Sequence, residues 1–237
     1  MRRLVVLLVV LLLVVVACSS DSDDTSPETT APPAELTADA ILADAAVAMA
    51  AVDSVLFELE RTGAGVYIDT GDTIALNTAD GRFAAPGSAE AVVQVEIGGF
   101  TAEIGAVAID GDIWLTNPVS GTWETAPEDL TFNPATLFDP VIGWRALLEE
   151  GLTDIELVDT TDGRHRITGV AEAERVDVLT GGLVEEEAPI VLLIDADTAL
   201  LDEVTFDVAV DEGTANWEVL LFEYGTEVVV TVPPLDG

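Results

Sequence analysis

The chain contains no lysine, a single cysteine, a single histidine and only 5% aromatic residues. Each shortage excludes something. With Cys18 as the sole thiol, no intramolecular disulfide can form, so stability has to come from the core. With His165 as the sole imidazole, the commonest general base and metal ligand is confined to one position. Eight arginines stand against 45 Asp and Glu, for a formal net charge of −37. So negative a surface repels phosphate backbones and excludes nucleic acid as a partner; it also offers no polybasic patch to anionic lipid headgroups. The longest apolar run, Leu4 to Ala17, covers fourteen residues, short of the roughly 20 that a membrane-spanning helix needs.

That run is nevertheless informative. Arg2 and Arg3 precede it, Cys18 follows it, and Ser19, Ser20 and Asp21 open a polar stretch. Charged, apolar and small-residue regions in this order make a secretory signal over residues 1–17. Val15-Val16-Ala17-Cys18 resembles the bacterial lipobox, with Val15 where Leu is usual. The resemblance implies that the Cys18 thiol receives a diacylglyceryl group, that the chain is cut before it, and that palmitate-type acylation anchors it. The protein is then expected outside the cell membrane, held to its outer face by the lipid on Cys18. Residues 18–35 are Ser, Asp, Thr, Pro and Glu with almost nothing apolar, a composition that reads as a disordered tether.

From residue 36 to 237 the pattern is that of one folded domain. Thr37 is placed to cap a helix in which Ile41, Leu42, Ala45 and Met49, with Val52, form one stripe and Asp39 favours the positive end. After Ser54 the period changes to two. Val55, Phe57 and Leu59 form one face of a strand; Val93, Val95 and Ile97 form that of a second; Val204, Phe206 and Val208 form that of a third. Gly71-Asp72, Asp80-Gly81, Asp110-Gly111, Asp162-Gly163 and Glu212-Gly213 read as hairpin turns. Asn133-Pro134 opens a short helical segment, Gly143 to Glu150 reads as a helix, and so does the stretch from Ala173 to Leu179. The order is helix, strands, helices, strands, which is the α+β class with one large antiparallel sheet. A broad sheet curls, and with few helices and few aromatics its inner side either encloses a space or is filled by Val, Ala and Leu, since a packed core gives the same alternation.

Nothing forms a catalytic constellation. No Gly-x-Ser-x-Gly elbow surrounds Ser54, Ser88 or Ser120, and His165 between Arg164 and Arg166 reads as a surface residue at a strand edge. The chain is therefore read as not an enzyme, and no cofactor is implied. Asp195-Ala196-Asp197-Thr198 and Asp110-Gly111-Asp112 carry oxygens without the closing Glu of a calcium loop, and read as turns. Glu185, Glu186 and Glu187 read as a solvated loop. Trp114, Trp123, Trp144 and Trp217 are candidates for core anchors first and pocket walls second.

Ile41 to Met49 followed by Val52-Asp53-Ser54-Val55 resembles the opening of the mycobacterial LppX/LprA/LprF/LprG lipoproteins. Ile109 to Trp114 resembles the hairpin of that family, Trp123 a tryptophan after a short turn, and Asn133-Pro134 with Leu137, Gly143, Leu147 and Leu148 its helical interlude. Asp162-Gly163, Ile167-Thr168-Gly169 and the close from Glu223-Tyr224-Gly225 to Val232-Pro233-Pro234 complete the likeness. It implies a U-shaped half-barrel with helices packed on the concave face around an apolar cavity for acyl lipid or glycolipid. It also implies an actinobacterial envelope lipoprotein that carries or presents such lipid, with a membrane transporter as a possible partner. The cavity candidates are Val55, Phe57, Leu59, Val93, Val95, Ile97, Val204, Phe206 and Val208. The alternative is a scaffold lipoprotein with a filled core and no lipid ligand.

Overall fold

The computed structural model describes residues 36–69, 71–127 and 133–235. The signal, Cys18 and the expected tether lie outside the described residues. Thr37 caps the first helix, α1 (Ala38–Ala50), its hydroxyl accepting from the Ala40 N–H at 3.3 Å. Ile41, Leu42, Ala45 and Met49 are buried, as the stripe requires, and Val52 follows in the connection to the sheet.

Eleven strands then form a single antiparallel sheet: β1 (Ser54–Gly63), β2 (Ile74–Ala84), β3 (Ser88–Ile97), β4 (Phe100–Ile109), β5 (Asp112–Thr116), β6 (Trp123–Thr125), β7 (Leu152–Thr161), β8 (Arg164–Ala171), β9 (Ala188–Asp195), β10 (Leu201–Val210) and β11 (Gly213–Phe222). Their spatial order is β6-β5-β4-β3-β2-β1-β11-β10-β9-β8-β7. Two meanders therefore run outward and back, joined where β1 pairs with β11. The sheet is curled and unclosed, with β6 and β7 as its two edges. A chain leaving β6 must cross one face of the sheet to start β7. That crossing contains a 3₁₀ segment (Pro134–Phe138, capped by Asn133) and α2 (Trp144–Glu150). A third short helix, α3 (Ala173–Leu179), sits between β8 and β9. The lid on the inner face is thus a consequence of strand order. This is the α+β half-barrel that the alternation and the resemblance imply.

The turns at Asp110-Gly111 and Asp162-Gly163 lie where expected, both residues of each pair having positive φ, the geometry of the tight hairpin turn. Asp80-Gly81 is different: it lies inside β2, and no turn occurs there. Gly81 faces Phe57 across the β1–β2 pair, and a Cβ at that position would collide with the Phe57 ring and approach the Glu90 carbonyl oxygen to 2.6 Å. The glycine makes room for a neighbour. Gly71-Asp72 belongs to a longer loop that folds back onto β2, with Ile68 N–H donating to Ile74 O and Leu76 N–H to Val66 O, both at 2.9 Å. After Gly225 the chain runs without regular secondary structure from Ser54, whose hydroxyl donates to Thr226 O at 2.6 Å, to a bridge between Leu235 and Trp123.

Candidate functional site

Cross-strand register carries one apolar row over nine strands of the inner face. It runs Ile104, Val93, Ala79, Leu59, Val219, Val204, Leu192, Ile167 and Leu157, from β4 to β7. Neighbouring rows add Phe57 beside Gly81 and Ala91, and Trp217 beside Phe206, whose rings stack at 5.8 Å. All three candidate runs lie on this face. Val55, Phe57, Leu59, Val93, Val95, Val204, Phe206 and Val208 are each at most 4% exposed, and Ile97 is half-buried. Side chains therefore occupy the middle of the face. In the β1–β4 half the floor is small, made of Ala79, Gly81, Ala91 and Ala106, and the 3₁₀ segment drops Phe138 onto it. Phe138 stacks on Phe83 at 4.4 Å and tilts against Phe57 at 6.1 Å.

Open volume lies at the two ends of the face. At the end where β2 begins, a cavity of about 330 Å³ is lined by Ile68, Ile74, Ile104, Leu115 and Pro118, with Asp69 and Glu124 on its rim. At the opposite end, a cavity of about 220 Å³ separates the end of α1 from the 3₁₀ segment and α2, lined by Met49, Val52, Phe83, Phe138 and Trp144. The first volume falls at the low end of the range of small-molecule pockets, roughly 300–1,000 Å³. The first cavity adjoins the β3 stripe, since Ile74 pairs with Ile97 and Ile104 with Val93, and the second adjoins the β1 stripe, since Phe83 pairs with Val55.

Polar groups inside are few. The indole N–H groups of Trp144 and Trp217 are buried without an acceptor; each is a donor with unused capacity. Trp114 and Trp123 are half-buried, and Trp123 covers Gly105, where a Cβ would meet its ring at 2.8 Å. Arg61 is buried on the inner face and donates to Leu76 O, Ala64 O, Gly63 O and Asn77 Oδ1. Its role is missed by pattern reading, which sees only a charge ending an apolar alternation. Burial pulls its guanidinium pKa below the ordinary value, and the Glu96 charge partly opposes that. Tyr224 donates to Leu201 O and approaches Met49 Sδ at 3.6 Å, tying α1 to the sheet; burial pushes its phenol pKa upward.

His165 is buried, contrary to the surface position expected, with Nδ1 2.9 Å from Thr160 Oγ1. It points inward because it alternates in step with Ile167 on β8. Asp195 accepts from Asp197 N–H, Thr198 N–H and the Thr198 hydroxyl, and these bonds hold its pKa below the usual carboxylate range. Among the described residues no three acidic, His or Cys side chains are grouped to hold a metal ion.

An open, lidded antiparallel sheet with an apolar inner face defines the structural class. The family model of the LppX_LprAFG lipoproteins matches residues 37–230, and the chain belongs to this family. Among solved structures, LprF from Mycobacterium bovis superposes with a TM-score of 0.62 at 18% identity, covering 83% of this chain and 96% of that one. The lipoprotein LppX from Mycobacterium tuberculosis gives 0.58 at 18% identity, covering 82% and 98%. At such identity the likeness is one of fold. No curated protein matches the sequence.

Proposed function

We propose that this protein is an exported lipoprotein, anchored through Cys18, that takes an acyl lipid or glycolipid against the inner face of its sheet and carries or presents it across the cell envelope. The observation that carries this reading is the apolar row across nine strands, covered by a short lid in place of a second sheet and open at both ends. An acyl chain in water costs about 0.8 kcal/mol per exposed CH₂, and a shielded path removes that cost. The larger cavity admits one chain end; a longer ligand enters as the crossover segment lifts from the alanine and glycine floor. The unpaired Trp144 N–H beside the smaller cavity suits an ester carbonyl.

Native mass spectrometry and organic extraction of the purified mature protein test the reading. The expected result is a co-purifying acyl lipid, or stoichiometric uptake of a fluorescent fatty acid. A domain that arrives empty and takes up no probe overturns it. Replacing Cys18 with Ala is expected to remove the lipid mass and release the protein from the membrane fraction. The filled centre of the inner face favours a second reading, the scaffold lipoprotein without ligand. An empty domain that retains a membrane-protein partner in a pull-down would support it.

A further inference from the structure

The larger cavity lies at an end of the sheet where two hairpin tips carry no charge in this acidic chain; the short β2–β3 turn, Ala85-Pro86-Gly87, is uncharged too, but it exposes no large apolar side chain. The β3–β4 turn, Ile97-Gly98-Gly99-Phe100, and the β5–β6 loop, residues 117–122, contain no charged residue. Four other hairpin turns carry Asp110, Asp162, Asp197, or Asp211 with Glu212. Antiparallel order puts both uncharged tips at the same end of the sheet, because β4 leaves from Phe100 and β5 returns toward it. Phe100 is 79% exposed and Val119 is 94% exposed.

Both side chains are held out by structure. Gly98 and Gly99 adopt φ of +57° and +83°, a tight turn that projects clear of the molecule, with nothing within 4 Å of an added Cβ. In the second loop Asn117 Oδ1 accepts from Val119 N–H at 3.0 Å and Ser120 N–H at 3.2 Å, while Asn117 N–H donates to Thr122 O at 2.8 Å. Asn117 and Pro118 also line the cavity, as does Ile74, the pairing partner of Ile97. Val119 thus directly follows two lining residues, and Phe100 closes the turn that begins at Ile97, the strand partner of a third.

We propose that this end of the sheet docks on the surface of a zwitterionic lipid bilayer, with Phe100 and Val119 inserting beside the mouth of the larger cavity. The inference rests on the carrier reading, and it names the surface at which an acyl chain is exchanged. Uncharged tips with an aromatic and an aliphatic prong suit the headgroup boundary, where burial of apolar area supplies the binding. Neither tip supplies a cation, and the rim carries Asp69 and Glu124, so anionic headgroups are repelled. Reach is sufficient. The 18 residue steps from Cys18 to Leu36 span at most about 65 Å, against about 33 Å for a ten-residue strand.

The test uses the mature chain from residue 18 with Cys18→Ser, so that no lipid anchors it, floated with phosphatidylcholine vesicles. The protein is expected to co-float, and Phe100→Asp with Val119→Asp is expected to reduce partitioning at least tenfold without shifting the thermal midpoint. Val119→Asp alone should lose several-fold. Val141→Asp, at a residue 74% exposed on the opposite end of the sheet, should leave flotation unchanged. Vesicles one-third phosphatidylglycerol should bind more weakly at low salt and recover in 0.5 M NaCl, roughly as screening predicts. No flotation of the parent chain, equal flotation of the double variant, loss through Val141→Asp, or tighter binding to anionic vesicles would each overturn the proposal. Uptake of fluorescent fatty acid from vesicle-free solution is measured in parallel and should be the same for parent and double variant. Failed uptake with intact flotation removes the carrier reading alone; intact uptake without flotation removes the docking alone.

Discussion

Arg61 shows how one side chain can hold a local structure that composition would forbid. A guanidinium in the interior of a sheet is tolerated only when its donors are satisfied. Here three backbone carbonyls and Asn77 receive it at 2.6–3.2 Å, fastening the loop after β1 onto β2. A planar fork fits four acceptors; an ammonium does not. Arg61→Lys is therefore expected to lower the unfolding free energy by about 1–3 kcal/mol, and Arg61→Ala by more, measured by urea denaturation. If Arg61→Ala leaves stability unchanged, the carbonyls are satisfied in some other way. Little of this is legible in the sequence, since Arg61 closes an apolar alternation at a place where a solvated charge is also common. His165 is a related case: the flanking arginines suggest solvent, whereas β8 alternation with Ile167 places the imidazole inside.

At the scale of elements, the strand periodicity was readable because one face of each strand is apolar and the other is not. Val55, Phe57 and Leu59 announce β1, and Val204, Phe206 and Val208 announce β10, without any tertiary information. Thr37 and Asn133 announce the two capped starts. Asp80-Gly81 misled, because a glycine demanded by a neighbouring ring looks the same in sequence as one demanded by a turn. The pairing of β1 with β11, and the crossing it imposes on the 3₁₀ segment and α2, had no local signal. Phe138 is the contact that seats this crossing, against Phe83 and Phe57. Phe138→Ala is expected to cost about 2–3 kcal/mol while enlarging the smaller cavity, so fatty-acid uptake should rise as thermal stability falls. Gly81→Val should displace Phe57 and lower both, at a cost of about 1–3 kcal/mol. A Phe138→Ala variant with reduced uptake would argue that the crossing is a wall of the site and does not gate it.

For the whole molecule, charge is the dominant variable. Acids face acids across the outer sheet surface, Glu58 opposite Asp80 and Glu60 opposite Glu218, an arrangement that destabilises the ladder. With a net charge of −37, added salt should raise the thermal midpoint, and calorimetry between 0.05 and 1 M NaCl checks it. The pH dependence has two signs. Asp177, desolvated and near Glu185 and Glu174, and Asp202, desolvated and near Asp195, have raised pKa values in the folded state. They weaken the fold at neutral pH, and that loss is recovered as pH falls through their folded pKa values. Asp69 and Asp195 have lowered values, through Thr73 and Thr198 respectively. Their contribution is present above the ordinary carboxylate pKa and is lost as pH falls through the depressed one. Stability should therefore be greatest in mildly acidic solution. Asp177→Asn should raise the midpoint at pH 7.5 and make no difference once the parent carboxyl is protonated.

The seam between β1 and β11 fixes the timing of assembly. Leu56 meets Phe222 there, so the first strand synthesised waits for the last, and neither meander alone can complete the ladder. Such distant partners close a large loop and fold slowly. A ribosome or translocation channel that delivers the chain N-terminus first therefore leaves an apolar strand edge bare until the final tenth of the polypeptide emerges. Until then that unpaired edge is a template to which a second chain could add a strand.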